Sequence, residues 1–288
     1  MQNLSFIMRI FAARKRDTGI MMTRINLPRV DSTNNFCKDM LSFGDQIEGM
    51  TLVVTDEQTG GRGQGENRWE SEAGKNLTFS LLCHPRFVKA NEQFVLSQCM
   101  ALAIWRSLDK LVEDVSIKWP NDIYIGDRKV SGTLIECDLR GKEIENCIIG
   151  VGLNVNQKEF RSDAPNPVSL AQITGKEEDK EALLDDIMGE FQALYERIRA
   201  GESEALRKEY KQHLYRREGM HRYADVRGEF MAEIADIEPT GHLLLRFENG
   251  NTCRYELKEV RFINDNDNDN VNLNDNVNDN NGNTTYTD

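Results

Sequence analysis

The 288-residue chain lacks several features that whole classes of protein require. No apolar run comes near the roughly 20 residues that span a bilayer, so we expect neither membrane insertion nor a membrane partner. The six cysteines form no CxxC pair and the four histidines form no HExxH motif, which argues against a disulfide framework and a zinc site. Scattered thiols of this kind are typical of cytoplasmic proteins, and we predict that location.

Positive charge is also scarce. The chain carries 36 Lys and Arg against 48 Asp and Glu, a net charge of −12. This balance provides no general attraction for a phosphate backbone, so we expect no nucleic-acid partner. Six of the acids and no base lie in the Asn- and Asp-rich segment 264–288. That segment cannot bury enough apolar surface to offset ordering entropy, and we predict a disordered tail.

The middle of the chain alternates short β-rich runs with amphipathic helical ones. This predicts an α+β fold over residues 22–216, a mixed β-sheet with flanking helices. Residues 1–21 before it lack a core-forming pattern, and we predict a poorly ordered extension. Strands are expected at 52–55, 77–84, 115–118, 123–125, 130–138 and 147–154, and helices at 92–113, 183–201 and 202–213.

After residue 217 the pattern changes, because apolar residues recur at every second position, as in Leu243, Leu245 and Phe247. Turn residues follow such runs at Pro239-Thr240-Gly241 and Asn249-Gly250. The pattern predicts a small β-barrel over residues 217–263, behind a flexible junction.

A glycine-rich segment, Glu57 to Gly65, directly follows the first predicted strand. Backbone N–H groups of such a loop can approach an anion closely, and Arg62 adds a planar guanidinium suited to phosphate or carboxylate. The segment is not a Walker A loop, since no Gly-Lys-Ser/Thr follows, and Glu66 breaks a GxGxxG pattern. It predicts an anion-binding loop, with a plain turn as the alternative.

Two further segments place polar residues at strand ends. Lys118-Trp119-Pro120-Asn121-Asp122 and the nearby Lys129 gather cations, an amide and a carboxylate, and Gly150-Val151-Gly152 interrupts an apolar strand before Asn154. Each has a simpler explanation, a surface ion pair beside a turn in the first case and a glycine bulge in the second. Three interrupted strand ends in one stretch of chain favour a ligand site.

These motifs carry a resemblance to a known family. Gly61-Arg62-Gly63-Gln64 with Trp69, Lys118 to Asp122, Lys129-Val130-Ser131-Gly132 and Gly152 to Asn156 occur in the order found in biotin protein ligases, the biotin-acetyl-CoA-carboxylase ligases. The chain resembles that family over residues 26–263. The resemblance implies a mixed-sheet catalytic domain, related to lipoate ligases, and a C-terminal barrel of the Src-homology-3 type.

The resemblance also implies a role for each matching residue. Lys129 and Arg62 would be catalytic, Ser32 to Asn34 would meet the ureido end of biotin, and Trp69 would pack near the adenine. The residues implied to bind biotin are Ser32, Thr33, Asn34, Gln58, Arg62, Gly63, Gln64, Lys129 and Gly132. The residues implied to bind the nucleotide are Arg62, Gln64, Trp69, Lys118, Asn121, Asp122 and Asn154.

The implied reaction has two steps. The biotin carboxylate attacks the α-phosphate of ATP to give biotinyl-5′-AMP and pyrophosphate, and a lysine of a biotin carboxyl carrier protein then attacks the mixed anhydride. Mg²⁺ would arrive with the ATP, and Asp122 is the candidate for a protein ligand. A homodimer is compatible with the sequence.

Two other functions stay open. A lipoate or octanoate ligase would share the fold and Lys129 but would need a longer apolar tunnel, whereas the Ser32 to Asn34 run favours a polar ring. A non-catalytic biotin- or nucleotide-binding module would not need both Arg62 and Lys129.

The chain departs from many relatives at Gln64, where they have Arg, and this lowers the positive charge over the phosphate. Relatives that also act as repressors begin with a helix-turn-helix domain. Too few residues precede Leu27 for such a domain, so we expect the ligase alone.

Overall fold

The structure is a computed structural model that describes residues 21–43, 49–65, 67–162 and 166–263, and the backbone of residues 9–15. The predicted tail over residues 264–288 lies outside the described residues, as do residues 1–8 and 16–20 of the predicted N-terminal extension.

The larger sheet has eight strands. They are Arg9–Lys15 (β1), Met21–Val30 (β2), Met50–Gln58 (β3), Leu77–Cys83 (β4), Val115–Lys118 (β5), Asp122–Ile125 (β6), Arg128–Arg140 (β7) and Glu143–Leu153 (β8). Their order in the sheet is β1-β2-β3-β4-β8-β7-β6-β5. Strands β2 and β3 run parallel, and the other described pairs run antiparallel. The predicted mixed sheet and all six predicted strands are confirmed, most of them longer than expected.

The helices are Thr33–Ser42 (α1), Phe94–Asp109 (α2), Leu170–Thr174 (α3), Lys180–Arg199 (α4) and Ser203–Gln212 (α5), with a 3₁₀ turn at Ala90–Glu92. The three predicted helices are confirmed as α2, α4 and α5. No described helix combines the length and the apolar character that a bilayer crossing requires.

The two faces of the larger sheet bury different cores. On β8, Ile149, Val151 and Leu153 pack into the main core together with residues of α2 and α4. Ile148, on the opposite face, packs into a smaller core against α1. Since side chains alternate along a strand, Gly150 and Gly152 lie on the α1 side with Ile148. On the face that carries α1, these two glycines therefore let other side chains pack directly on the sheet.

The structure describes the backbone of residues 9–15 within the extension predicted over residues 1–21, whose poor order stays a prediction. These residues form β1 and pair antiparallel with β2, from Arg9 opposite Asn26 to Lys15 opposite Met21. The other edge of β2 is occupied by β3, so β2 offers a row of backbone donors and acceptors that an extended segment can satisfy.

The C-terminal region forms a second, antiparallel sheet. Its strands are His221–Asp225 (β9), Gly228–Ile237 (β10), Leu243–Phe247 (β11), Thr252–Tyr255 (β12) and Arg261–Phe262 (β13), in the order β12-β11-β10-β9-β13. The predicted alternation holds in β11, where Leu243 and Leu245 are buried. The sheet is not closed into the predicted barrel, because among the described strands β12 and β13 do not pair with each other. Strand β13 has only two residues, too few to bridge two neighbours.

The two sheets touch through the segment singled out in the sequence. Trp119 Nε1 donates to the carbonyl of Gly241 at 2.9 Å, at the turn between β10 and β11. Lys211 of α5 pairs with Asp236 of β10 at 2.5 Å. The C-terminal sheet is therefore docked on the Lys118 to Asp122 segment and on α5. The domain boundary near residue 217 stays a prediction.

Candidate functional site

The first turn of α1 presents polar side chains to the sheet. Ser32 is the N-cap, with an extended backbone and a side chain that accepts from Asn35 N at 3.5 Å, as its residue type predicts. Thr33 and Asn34 follow it and are buried. Ser80 Oγ on β4 lies 2.7 Å from Thr33 Oγ1 and 2.5 Å from Asn34 Oδ1.

Gln58, at the end of β3, completes this polar cluster. Its Oε1 accepts from Thr33 N at 3.0 Å and from Thr33 Oγ1 at 3.3 Å. The structure thus brings together the four residues predicted for the ureido end of biotin: Ser32, Thr33, Asn34 and Gln58. It adds Ser80, which the sequence analysis missed although it is a polar residue in a strand that is buried throughout.

Glu136 on β7 is a second residue that the sequence analysis missed. Its carboxylate accepts from Asn34 Nδ2 at 2.8 Å and Lys38 Nζ at 2.7 Å, and it pairs with Arg62 Nη2 at 3.1 Å. Burial alone would raise the pKa of Glu136, but the hydrogen bonds from Lys38 and Asn34 and the charge of Arg62 hold that pKa below its ordinary value. Glu136 is therefore an anion that links α1 to the glycine-rich segment.

Residues 61–65 and 67–69 form the two arms of a small antiparallel hairpin, called here the glycine hairpin. Trp69 N donates to Gly61 O at 3.0 Å, Gly63 N donates to Asn67 O at 2.7 Å, and Arg62 and Arg68 form a bridge between the two arms. Gly61 must lack a side chain, because a Cβ there would overlap the Trp69 carbonyl. Gln64 lies exposed at the tip.

An irregularity in strand pairing directs Lys129 to the site. Ile123 faces Ser131 whereas the next residue, Tyr124, faces Lys129, so β7 contains an extra residue at Val130. Such a bulge re-aims side chains. Lys129 and Gly132, three residues apart, consequently share a face, and a Cβ on Gly132 would come 3.2 Å from Lys129 Nζ. Lys129 pairs with the predicted Asp122 at 2.6 Å.

Trp69 lies on a floor of two glycines. Gly132 and Gly152 face each other across β7 and β8. A Cβ on Gly132 would come 3.0 Å from Trp69 Cζ3, and one on Gly152 would overlap the indole. Lys129 Nζ lies 5.9 Å from the centre of the Trp69 ring. Trp69 Nε1 is buried and has no hydrogen-bond partner among the described residues.

Three predicted residues have partners outside this arrangement. Asn121 Nδ2 donates to Ser97 Oγ of α2 at 3.0 Å. Lys118 Nζ donates to the Tyr124 hydroxyl at 2.9 Å and lies 5.3 Å from the ring of Phe262 on β13. Asn154 is buried and donates to Val168 O at 3.2 Å, while its Oδ1 has no hydrogen-bond partner among the described residues.

Five residues lie along one row on the α1 face of the sheet, called here the trough: Asn34 over Gly150 at one end, and Trp69 over Gly152 with Lys129 at the other. A Cβ on Gly150 would overlap the Asn34 side chain, so both ends of the trough depend on glycines of the same strand. Such a trough can hold an elongated ligand with a neutral polar head and an anionic tail. Within the described residues, no group of three or more His, Cys, Asp and Glu side chains is placed to hold a metal ion.

Comparison with known proteins agrees with this geometry. The model of the biotin/lipoate A/B protein ligase family matches residues 27–154. The biotin–[acetyl-CoA-carboxylase] ligase of Paracoccus denitrificans is 31% identical over 166 residues, which cover 55% of this chain and 67% of that protein. The bifunctional ligase/repressor BirA of Bacillus spizizenii is 28% identical over 206 residues, 69% of this chain and 62% of its own length.

The chain thus spans less than two thirds of the length of the ligase/repressor relatives. Among solved structures, the biotin protein ligase of Aquifex aeolicus in complex with biotin and ATP superimposes with a TM-score of 0.69 at 26% identity, over 83% of this chain and 99% of that one. The matched family model, the Paracoccus relative and the shared fold lead to one conclusion: the chain belongs to the biotin protein ligases of the biotin/lipoate A/B protein ligase family.

Proposed function

We propose that the protein is an ATP-dependent ligase that activates biotin as biotinyl-5′-AMP and transfers it to a lysine of a biotin carboxyl carrier protein, that of acetyl-CoA carboxylase or a related carboxylase. The observation that carries this proposal is the trough, which joins a neutral hydrogen-bonding end at Asn34 to a cationic end at Lys129. Biotin has the matching form, a ureido ring at one end and a carboxylate at the other.

The polar end favours biotin over lipoate or octanoate. Thr33, Asn34, Gln58 and Ser80 offer hydroxyl and amide groups, which can both donate and accept, as the N–H and C=O groups of a ureido ring require. A dithiolane ring or an alkyl chain offers no hydrogen bond to these groups, and sites built to hydrogen-bond a ligand reject analogues that lack the polar group.

Two cations serve the adenylation step. The attacking carboxylate and the triphosphate are both anions, so the barrier falls when fixed positive charge meets them where the new bond forms. Lys129 lies at the cationic end of the trough, paired with Asp122. Arg62, on the glycine hairpin, is paired with Glu136, which also bonds Asn34 at the polar end. Both cations must exchange these carboxylates for substrate oxygens. Trp69, whose Nε1 is buried with no hydrogen-bond partner in the described part of the chain, would cover the nucleotide end and exclude water from the mixed anhydride.

Mg²⁺ enters this proposal with ATP. Its chemistry fits Asp122, because magnesium takes oxygen ligands and commonly combines one or two carboxylates with substrate phosphates. The ion would neutralise charge on the phosphates. Asp122, which lies beside Lys129, would be its protein ligand. The proposed biotin-binding residues Gly63, Gln64 and Gly132 and the nucleotide-binding residues Lys118, Asn121 and Asn154 complete the assignment.

We further propose that the protein acts in the cytoplasm, where carboxylases are biotinylated, without a membrane or nucleic-acid partner. None of its six cysteines, all of them among the described residues, forms a disulfide, as is usual in a reducing compartment. A homodimer stays a prediction.

The experiment that tests the activity is transfer to an acceptor. We expect a carrier domain incubated with the protein, biotin and Mg-ATP to gain the mass of one biotinyl group on a single lysine, and an acceptor with that lysine changed to Arg to gain none. Modification by lipoate or octanoate instead of biotin would support the related ligase, and no modification by any of the three would support a binding module.

A further inference from the structure

Three cysteines lie side by side across the larger sheet. Cys83 on β4 faces Cys147 on β8, and Cys147 faces Cys137 on β7. Residues that are directly opposite each other in a sheet project to the same face, so the three thiols form one line, called here the thiol row. The thiol row lies on the side of the main core, because Cys83 and Cys147 belong to that core and Cys137 packs against it.

Within the thiol row, Cys137 and Cys147 are in position to form a disulfide. Their Sγ atoms lie 3.3 Å apart. The Cα atoms of directly opposed residues in antiparallel strands are about 4.5 to 5.5 Å apart, within the range of about 4.4 to 6.8 Å that a disulfide needs. A bond of about 2.05 Å requires the two sulfur atoms to approach by little more than about 1 Å. The Cys83 thiol donates instead to the Cys147 carbonyl, at 3.7 Å.

Exposure to solvent distinguishes the two members of this pair. Cys137 is partly exposed, whereas Cys147 is buried, as is Cys83. An oxidant that arrives from solvent therefore reaches Cys137 first. Cys253 in β12 is also partly exposed, but it faces Leu245. All six cysteines lie in the described part of the chain, and Cys137 is the one that combines exposure with a second thiol opposite it.

The hydrogen bond between the two thiols gives them different reactivity. It lowers the pKa of the Cys137 thiol, although burial and the charge of Asp138 act in the other direction. The same bond, together with Cys83 and burial, raises the pKa of Cys147. Since the thiolate is the nucleophile, Cys137 is the thiol that reacts first, and Cys147 keeps its proton until a second step.

We propose that Cys137 and Cys147 are a reversible redox pair, in which a hydroperoxide oxidises Cys137 and Cys147 then closes a disulfide between β7 and β8. The Cys137 sulfur attacks a peroxide oxygen, so that an S–O bond forms and the O–O bond breaks. The departing alkoxide takes the Cys137 proton and leaves as an alcohol. The Cys147 sulfur then attacks the Cys137 sulfur, and hydroxide leaves with the Cys147 proton as water. The two thiols lose two electrons, which the hydroperoxide gains.

The disulfide limits the oxidation of Cys137 to a state that can be reversed. A sulfenic acid that meets no second thiol can proceed to a sulfinic acid, which thiol reductants do not reduce. At Cys137 that product would place an anion against the main core, where an unpaired charge is costly. A disulfide is neutral and is opened by a dithiol. Transient disulfides of this kind are the form in which redox-sensing pairs occur in reducing compartments.

The test treats the reduced, full-length protein with hydrogen peroxide under native conditions, blocks the remaining thiols and measures masses. We expect the unaltered protein to lose two hydrogen atoms. Trypsin should then release peptide 130–140 joined to peptide 143–158, each of which contains one cysteine, Cys137 or Cys147. Treatment with dithiothreitol should restore the original mass and separate the two peptides.

Single substitutions test the role of each thiol. In Cys147→Ser, Cys137 should gain two oxygen atoms as a sulfinic acid that dithiothreitol does not remove. Cys147→Ala avoids a buried hydroxyl and should behave in the same way. Cys137→Ser, at a partly exposed position, should form no disulfide. Cys253→Ser is the matched control, since it removes the other partly exposed thiol, and it should form the disulfide as fast as the unaltered protein. Melting temperatures measured before oxidation show that each variant is folded.

Three results would overturn the proposal. One is an unaltered protein in which Cys137 ends as a thiol or a sulfinic acid without a disulfide. Another is a disulfide that joins Cys147 to Cys83 in place of Cys137. The third is a disulfide between Cys137 and Cys147 that forms only when the protein is unfolded in urea, because the folded sheet would then not bring the two sulfur atoms together. None of these readouts depends on ligase activity, so the outcome is independent of the proposed function.

Discussion

Arg62 Nη2 lies 3.1 Å from Glu136 Oε2, so the guanidinium of the glycine hairpin is held by a carboxylate of the sheet. The same carboxylate accepts from Asn34 at 2.8 Å. One anion therefore connects the polar end of the trough to the cation proposed for adenylation. In the proposed function, a ligand with its own carboxylate and phosphates would replace Glu136 as the partner of Arg62.

The first prediction separates two residues of the glycine hairpin. Arg62→Ala should lower kcat/KM for adenylation by about 10² to 10³, as loss of a charge-stabilising contact typically does, whereas Gln64→Ala should lower it less than about tenfold, because a neutral amide contributes less than a guanidinium. The kcat/KM of Arg62→Lys should lie between those of Arg62→Ala and the unaltered protein, since lysine keeps the charge but loses the planar fork. Equal losses for the two Ala variants would show that the phosphate lies elsewhere.

The second prediction uses two glycines of β8. Gly150→Ala should displace Asn34 and raise the KM for biotin, whereas Gly152→Ala should displace the Trp69 indole and raise the KM for ATP. Overpacking of this kind costs about 1 to 3 kcal/mol. Because the strain falls on the side chain that would meet the substrate, we expect the KM to rise by about 5- to 150-fold in each case. Each variant is the control for the other. If both raised the KM of the same substrate, the assignment of the two ends of the trough would be wrong.

The third prediction concerns pH and Glu136. Its pKa in the folded state lies below the ordinary value of 4.5, through its bonds to Lys38 and Asn34 and despite burial. Its contribution to stability is therefore present above pH 4.5 and is lost as the pH falls through the depressed folded-state pKa. With the carboxylate 25% exposed, we expect Glu136→Gln to lower the free energy of unfolding at pH 7 by only about 1 kcal/mol.

Urea unfolding from pH 7 to pH 3 measures this effect. The difference between the unaltered protein and Glu136→Gln should narrow below pH 4.5. Glu181→Gln is a control. Glu181 pairs with Arg24 but is 66% exposed, so this substitution should lower the free energy of unfolding by less than Glu136→Gln does. A Glu136→Gln difference that stays constant down to pH 3 would contradict the assigned pKa shift.

The regular elements could be predicted from the sequence because their signals are local. Helix α4 was predicted from the helical spacing of its apolar residues. Those on its buried face include Leu183, Ile187, Phe191 and Leu194. Helix α3 had a local signal that was overlooked, the capping box of Ser169 and Gln172. Strand β1 had no such signal, because it depends on the free edge of β2, a property of the assembled sheet.

The site could be predicted in part. Local motifs and the family resemblance gave Arg62, Lys129 and the Ser32 to Asn34 run. Glu136 and Ser80 were missed, since neither belongs to a local motif and the meaning of each depends on α1 packing across its strand.

The most direct test of the central claim is pyrophosphate exchange with biotin, lipoate or octanoate as the acid, for the unaltered protein and for Lys129→Ala. We predict exchange with biotin that falls by about 10² to 10³ in Lys129→Ala, with little change in melting temperature and with substantial transfer restored by pre-formed biotinyl-5′-AMP. Exchange that requires lipoate or octanoate, or a Lys129→Ala variant as active as the unaltered protein, would contradict the assignment of the trough as the site of biotin activation.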